Sequence, residues 1–175
     1  QINLVLSPDD ASTIPQLDTA NDRTTRRFYD KDGLLRGVLD ADLYLTEYQY
    51  NANGQAALTH RYGKQVVNYV AGAVLSQFTP GYSSDDIRSV TLYNAKGQVS
   101  AQSDGANYLT RFTYDKNGNL TLSQRFATRL SGNLQTNTPL DSPLLAIATS
   151  VEDHVTRNRY DNQNRLIESV NAEGT

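Results

Sequence analysis

The 175 residues contain no cysteine, methionine or tryptophan, and eleven tyrosines dominate the aromatic content. Sixteen basic residues against nineteen acidic ones leave a net charge of −3, which excludes the basic footprint of a nucleic-acid binder. No run reaches the ~18 apolar residues of a membrane helix, a disulfide scaffold is impossible, and a hydrophobic content of 38% covers a sheet with a thin core.

Ile2–Leu6 reads as a strand already under way at Gln1, and Ser7-Pro8 pairs an N-cap residue with a proline suited to the first helical position. Residues 1–21 are therefore read as the end of a preceding unit. From Asp22 the chain repeats itself. Asp22–Tyr62 and Asp86–Phe126 align without a gap at an offset of 64 (Tyr29 to Tyr93). They share Asp22/Asp86, Tyr29/Tyr93, Gly33/Gly97, Asp40/Asp104, Tyr44/Tyr108, Leu45/Leu109, Thr46/Thr110, Tyr50/Tyr114, Gly54/Gly118 and Arg61/Arg125. A third copy starts at Asp153, with Tyr160, Asp161 and Leu166, at an offset of 67 (Tyr93 to Tyr160). Self-similarity at a fixed period sets the architecture before any local motif is weighed. The expectation is that 1–175 is one fragment of a longer array, with units at 22–85, 86–152 and a truncated 153–175.

Each unit holds a smaller motif: an aromatic-ended strand, a polar four-residue turn and a second strand. It occurs at Tyr29-DKDG, Tyr50-NANG, Tyr93-NAKG, Tyr114-DKNG and Tyr160-DNQN. Asp or Asn at the first turn position accepts a backbone N–H two residues on. Glycine at the last position takes φ > 0, which closes a right-twisted hairpin with a bulge. Asn164, which replaces glycine in the fifth copy, is among the few residues that enter the left-handed region readily. The strand Tyr44–Tyr50 places Tyr44, Thr46, Tyr48 and Tyr50 on one face and Leu45, Glu47 and Gln49 on the other, and Tyr108–Tyr114 keeps that order. Leu58 and Tyr62 match Leu122 and Phe126 at one parity. Single hairpins are marginal, so these must pair sideways into a sheet with an aromatic-rich face. Tyr29, Tyr50 and Tyr114 are expected to be at least half buried.

The connectors, Gly63–Asp85 and Ala127–Glu152, change period. Val67, Val70, Val74 and Phe78 lie three and four apart and predict a short helix interrupted by Gly72. Ser142-Pro143 predicts an N-cap opening a helix over Leu144–Thr149. The expected fold is mainly β, with tandem antiparallel hairpins forming a twisted or curling repeat sheet and short helices in connectors that pack over one face or rim.

The motif Tyr-Asp-x-x-Gly-x-Leu is complete at Tyr114–Leu120 and at Tyr29–Leu35, while Tyr50 and Tyr93 carry Asn for Asp and Tyr160 lacks the glycine. Spaced by 21 residues (Tyr29 to Tyr50) and joined to the strings YLTEYQY and YLTRFTY, it resembles the YD repeat of RHS-type proteins. That family includes shell components of bacterial insecticidal toxin complexes, polymorphic toxins and the animal teneurins, which wind strips of β-hairpins into hollow shells. In the bacterial toxins the shell encloses a C-terminal toxic domain, and in several relatives it ends in a self-cleaving aspartyl protease. Neither segment is recognisable in this sequence. The resemblance implies a non-catalytic scaffold, a portion of a shell wall in a large secreted or cell-surface bacterial protein, partnered by neighbouring repeats and an enclosed toxin domain. It implies no cofactor. Tyr29, Asp30, Gly33, Tyr50, Gly54, Tyr93, Gly97, Tyr114, Asp115, Gly118, Tyr160 and Asp161 would be structural residues of that wall. The alternative is an adhesion module whose tyrosine-rich face binds a surface glycan or receptor.

Residues able to carry chemistry favour bland roles. Asp30-Lys31-Asp32-Gly33 begins like a calcium loop, but Ala41 stands where the bidentate glutamate is needed. Asp9-Asp10, Asp85-Asp86 and Glu152-Asp153 fit capping or solvated loops better than catalytic pairs. His60 and His154 are the only histidines and occupy non-equivalent positions without partners at ligand spacing, which argues against a metal centre or a serine triad.

Overall fold

The computed structural model describes residues 23–172. Ten strands follow in chain order: β1 Arg26–Tyr29, β2 Leu35–Leu39, β3 Tyr44–Tyr50, β4 Ala56–Gln65, β5 Ile87–Tyr93, β6 Val99–Ser103, β7 Tyr108–Tyr114, β8 Leu120–Arg129, β9 His154–Tyr160 and β10 Leu166–Ala172. They make one antiparallel sheet in which spatial order equals sequence order. The five tyrosine-led turns therefore line one end of the sheet. The two connectors, with short turns between β2 and β3 and between β6 and β7, line the other.

The register carries the repeat in detail. Every tyrosine-led hairpin has one extra residue on its second strand: Tyr29 faces Leu35 but Phe28 faces Gly37, and Tyr114 faces Leu120 but Thr113 faces Leu122. A wider bulge recurs between the third and fourth strands of the first two units, where Thr46 faces Arg61 but Tyr44 faces Gln65, and Thr110 faces Arg125 but Tyr108 faces Arg129.

Burial falls on one face. Leu39, Leu45, Tyr62, Val66 and Phe78 form one cluster, flanked by Phe28, Tyr69, Ala73 and Leu75. Leu58, Val90, Leu92, Ala101, Leu109, Phe126, Leu130, Leu134 and Leu145 form the other. Each cluster is roofed by its own connector, Val66–Phe78 over the first and Leu130–Leu145 over the second. The covered face is thus that of Leu45 and Leu109, both fully buried. Glu47 shares this face and is satisfied there by the hydroxyls of Tyr62 (2.6 Å) and Thr79 (3.2 Å). The opposite, tyrosine-rich face is covered by arginines: the guanidinium of Arg61 lies 5.2 Å from the Tyr44 ring, and that of Arg125 4.6 Å from Tyr108.

The connectors contain single 3₁₀ turns in place of the expected helices. Val67, Val70 and Val74 are 86%, 68% and 59% exposed, so their helical spacing is not a buried stripe. Gly72 at φ 88° breaks the run, and only Leu75–Gln77 turns, capped by Gln77 Oε1 accepting from the Val74 amide at 2.9 Å. Ser142 does cap, accepting from Leu144 N, but its turn spans only Pro143–Leu145 and ends once Leu145 is buried. The connectors bury isolated anchors, Val66 and Phe78 in the first and Leu130, Leu134 and Leu145 in the second. Ser7-Pro8 lies outside the described residues.

Leu109→Ala should cost about 3 kcal/mol in a urea titration, whereas Val67→Ala should change stability by less than about 0.5 kcal/mol. Equal losses would mean that the connector valines, and not the Leu45/Leu109 face, form the core.

Candidate functional site

The repeated polar positions are the candidate site, beginning with the turn. The carboxylate oxygen Oδ1 of Asp30 accepts the amides of Asp32 (3.0 Å) and Leu34 (2.9 Å), while Gly33 N donates to the Asp30 carbonyl. Asn51, Asn94, Asp115 and Asp161 repeat the pattern on the residues two and four further on. Glycines fill the fourth position at φ of 75–91°, and Asn164 does so at 60°. For Asp115 the side-chain and backbone amides of Asn119 hold the carboxyl below its usual value, and Arg165 does the same for Asp161.

The same turn occurs twice more at the opposite end of the sheet. Asp40 accepts from Asp42 N and Tyr44 N, and Asp104 from Ala106 N and Tyr108 N. Leu43 (φ 63°) and Asn107 (φ 65°) stand where glycine would signal it. Asp104 also pairs with Arg125 at 2.7 Å and Asp40 with Arg61 at 3.7 Å, so three positions shared between the first two units meet at one corner.

The tyrosines link one hairpin to the next. Tyr50 donates its hydroxyl to the carbonyl of Leu35 (2.9 Å), Tyr93 to Ala56 (2.8 Å), Tyr114 to Val99 (2.9 Å) and Tyr160 to Leu120 (3.1 Å). Each acceptor is the residue beside the bulge of the preceding hairpin. These four rings are partly buried, but Tyr29 is 60% exposed and no earlier hairpin stands beside it among the described residues. The residue after the turn glycine adds a second stitch. Gln55 Nε2 donates to Gly97 O at 2.8 Å, Gln98 Nε2 to Gly118 O at 3.2 Å, and Asn119 Nδ2 to Asn164 Oδ1 at 2.9 Å.

Two buried aspartates close the other end. Asp86 Oδ1 accepts from Gly63 N at 2.8 Å; its Oδ2 meets His60 Nε2 at 3.0 Å and Ser83 N at 3.2 Å. Asp153 accepts from Ala127 N at 2.9 Å, Gln124 Nε2 at 2.7 Å and Ser150 N at 3.1 Å. His60 and Gln124 are equivalent residues doing the same work. Gly63 and Ala127 sit in the wide bulge, so each aspartate binds an amide where the ladder is out of step. Burial alone would raise these carboxyls, but the converging donors outweigh it and hold both below the ordinary value. Asp86 and Asp153 are thus neither solvated nor paired with the exposed Asp85 and Glu152. The signal for them was the recurring Ser83-x-acid-Asp86 and Ser150-x-acid-Asp153.

Residues 93–128, from the end of β5 to β8, match the family model for the RHS repeat. This stretch is similar to the RHS repeat. The solved structure of TcdB2-TccC3 is similar at 14% identity and a TM-score of 0.46, over 85% of this chain and 8% of that one. That of TcdB2-TccC3-Cdc42 is similar at 14% identity and 0.44, over the same shares. The chain therefore spans less than a tenth of the length of those chains. No curated protein matches it.

Outside these turns, the sequence candidates do not converge. Asp30 spends its oxygen on turn amides, His154 is exposed at the start of β9, and His60 is 2% exposed between the rings of Tyr62 and Tyr82. No cluster of metal-ligating side chains and no helix long and apolar enough to cross a membrane occurs among the described residues. Asp9-Asp10 lies outside them.

Tyr114→Phe removes only the hydroxyl stitch and should cost about 1 kcal/mol by chemical denaturation, against nearly nothing for Tyr29→Phe. Indistinguishable costs would deny the stitch its role. Because the folded-state pKa values of Asp86 and Asp153 are depressed, their stabilisation is present above the unfolded value, about 4, and is lost as pH falls through the folded one. Asp86→Asn with Asp153→Asn should be less stable at pH 7 and show a shallower acid limb in urea midpoints. Parallel limbs would assign acid sensitivity elsewhere. His60→Gln should keep the wild-type midpoint within about 1 kcal/mol, since Gln124 already performs this bond.

Proposed function

We propose that this chain is a non-catalytic wall segment of an RHS-repeat β-shell, built from units at 22–85, 86–152 and 153–175, in a large secreted or cell-surface bacterial protein related to toxins. Its partners in that reading are the neighbouring repeats and a C-terminal effector that the shell encloses or presents. The observation that carries it is the hairpin-to-hairpin stitch: four tyrosine hydroxyls bind the backbone of the previous hairpin at the residue beside its bulge, so each repeat is completed by the next. A device of that kind propagates a sheet of any length, as arrays of mutually dependent repeats require. The polar side chains at the repeated positions are saturated by backbone amides, which suits a wall. The adhesion alternative is weakened on the tyrosine face itself, because Arg61 and Arg125 already stack on Tyr44 and Tyr108.

Limited proteolysis of the parent protein tests this reading. The segment C-terminal to the array should resist digestion in the native protein and become sensitive when residues 86–152 are deleted. Equal sensitivity before and after deletion would remove the enclosing role.

A further inference from the structure

We propose that the cleft where the first connector meets β5 and the second connector is a binding site for an acidic saccharide, with Arg88 receiving its carboxylate. The cleft encloses about 620 Å³, within the ~300–1,000 Å³ usual for small-ligand sites. Tyr82, Ser84, Arg88, Asn107, Asn133 and Gln135 line it.

Arg88 is the anomaly that points to a ligand. It lies on the covered face directly opposite His60, and its Nε is buried without any hydrogen-bond partner. No carboxylate of the described residues lies within ion-pair distance of it. A guanidinium N–H withdrawn from water and left unpaired is costly, and such a group in a native fold calls for an explanation. The repeat does not need the arginine. In the next unit the residue facing Gln124, as Arg88 faces His60, is Val155. The cation is therefore particular to this cleft, and its fork geometry suits a carboxylate.

The remaining lining fits a sugar ring better than a bare anion. Tyr82 is 75% exposed, yet its ring is held at 12° to His60 with centroids 5.4 Å apart, leaving a fixed aromatic surface open to stacking. Asn107 commits its Nδ2 to the carbonyls of Leu130 and Gly132, so its Oδ1 remains to accept from a hydroxyl. Asn133, Gln135 and Ser84 add further donors and acceptors. Asp86 also lines the cleft, but its carboxylate is 5% exposed and its oxygens are taken up by Gly63, His60 and Ser83.

The test titrates the ¹⁵N-labelled chain with D-glucuronate, D-glucose and sulfate, following the arginine Nε–Hε and Tyr82 ring resonances. Glucuronate should give saturable shifts at both, with a dissociation constant on the order of 1 mM for one sugar. Glucose should shift neither, and sulfate should bind more weakly without moving Tyr82. Arg88→Val, which installs the next unit's residue, should abolish binding at an unchanged melting midpoint. Tyr82→Ala should weaken it roughly fivefold. Should Arg88→Val melt early, the exposed Tyr82→Ala carries the comparison. The assignment is overturned if glucuronate never saturates, if glucose binds equally well, or if sulfate matches glucuronate and Tyr82→Ala has no effect, which would leave an adventitious ion only.

Discussion

The structure depends on side chains that satisfy the backbone where its ladder is deliberately out of step. Five narrow bulges and two wide ones interrupt ten strands, and such bulges bend and twist a sheet at the expense of regular pairing. At the first four narrow bulges a tyrosine hydroxyl arrives from the following hairpin. At the wide bulges a buried aspartate arrives from the following unit and binds the amide of Gly63 or Ala127. Both contacts reach forward in sequence to the next copy. Curvature and cooperation between repeats therefore have a single origin, because the feature that bends one hairpin is the feature that needs its neighbour.

This division explains which positions hold steady between units and which drift. Tyr50, Tyr93, Tyr114 and Tyr160 bind a backbone atom and are constrained by its position, not by the side chain that surrounds it. His60 and Gln124 differ in chemistry, yet each offers one nitrogen to an aspartate and nothing more is asked. Tyr62 and Phe126 exchange for the same reason, with Glu47 present beside the tyrosine and Arg111 stacked on the phenylalanine at 5.3 Å. The connectors vary most because they contribute only scattered apolar anchors to a face that is otherwise complete.

The hairpins were legible in the sequence because Asx followed three residues later by glycine or asparagine has one inexpensive backbone solution. The turn at Asp40 escaped that rule, since Leu43 enters the left-handed region without the residue that normally announces it, whereas Asp104 with Asn107 obeys it at the other end of the sheet. The tyrosines dominate the pattern of the face opposite the core. Leu45 and Leu109 are equally repeated and fully buried, but one leucine among three aromatics is a quieter signal than its burial warrants. The valines of the first connector carry a helical period that Gly72 and the shortness of the crossing override. Asp86 and Asp153 were hidden by their acidic neighbours. Two adjacent carboxylates suggest solvent, whereas only the equally spaced Ser83 and Ser150 show that one of the two points inward.

A sheet made of such repeats has a built-in way of separating structural from added roles. Where two units place different residues at one position and both satisfy the same partner, the difference is structural drift. Where one unit carries a residue that satisfies nothing, and the other dispenses with it, the fold does not account for its presence. Arg88 opposite His60 and Val155 opposite Gln124 are the second kind. The valine shows that an apolar side chain is enough to continue the covered face, so the energetic penalty of an unpaired buried Nε cannot be a requirement of the sheet. The same reasoning applied to Asp86 gives the opposite answer, because Asp153 repeats it bond for bond in a unit without the cleft's arginine. Within one short corner of the molecule, the carboxylate therefore belongs to the architecture and the guanidinium to whatever the architecture displays.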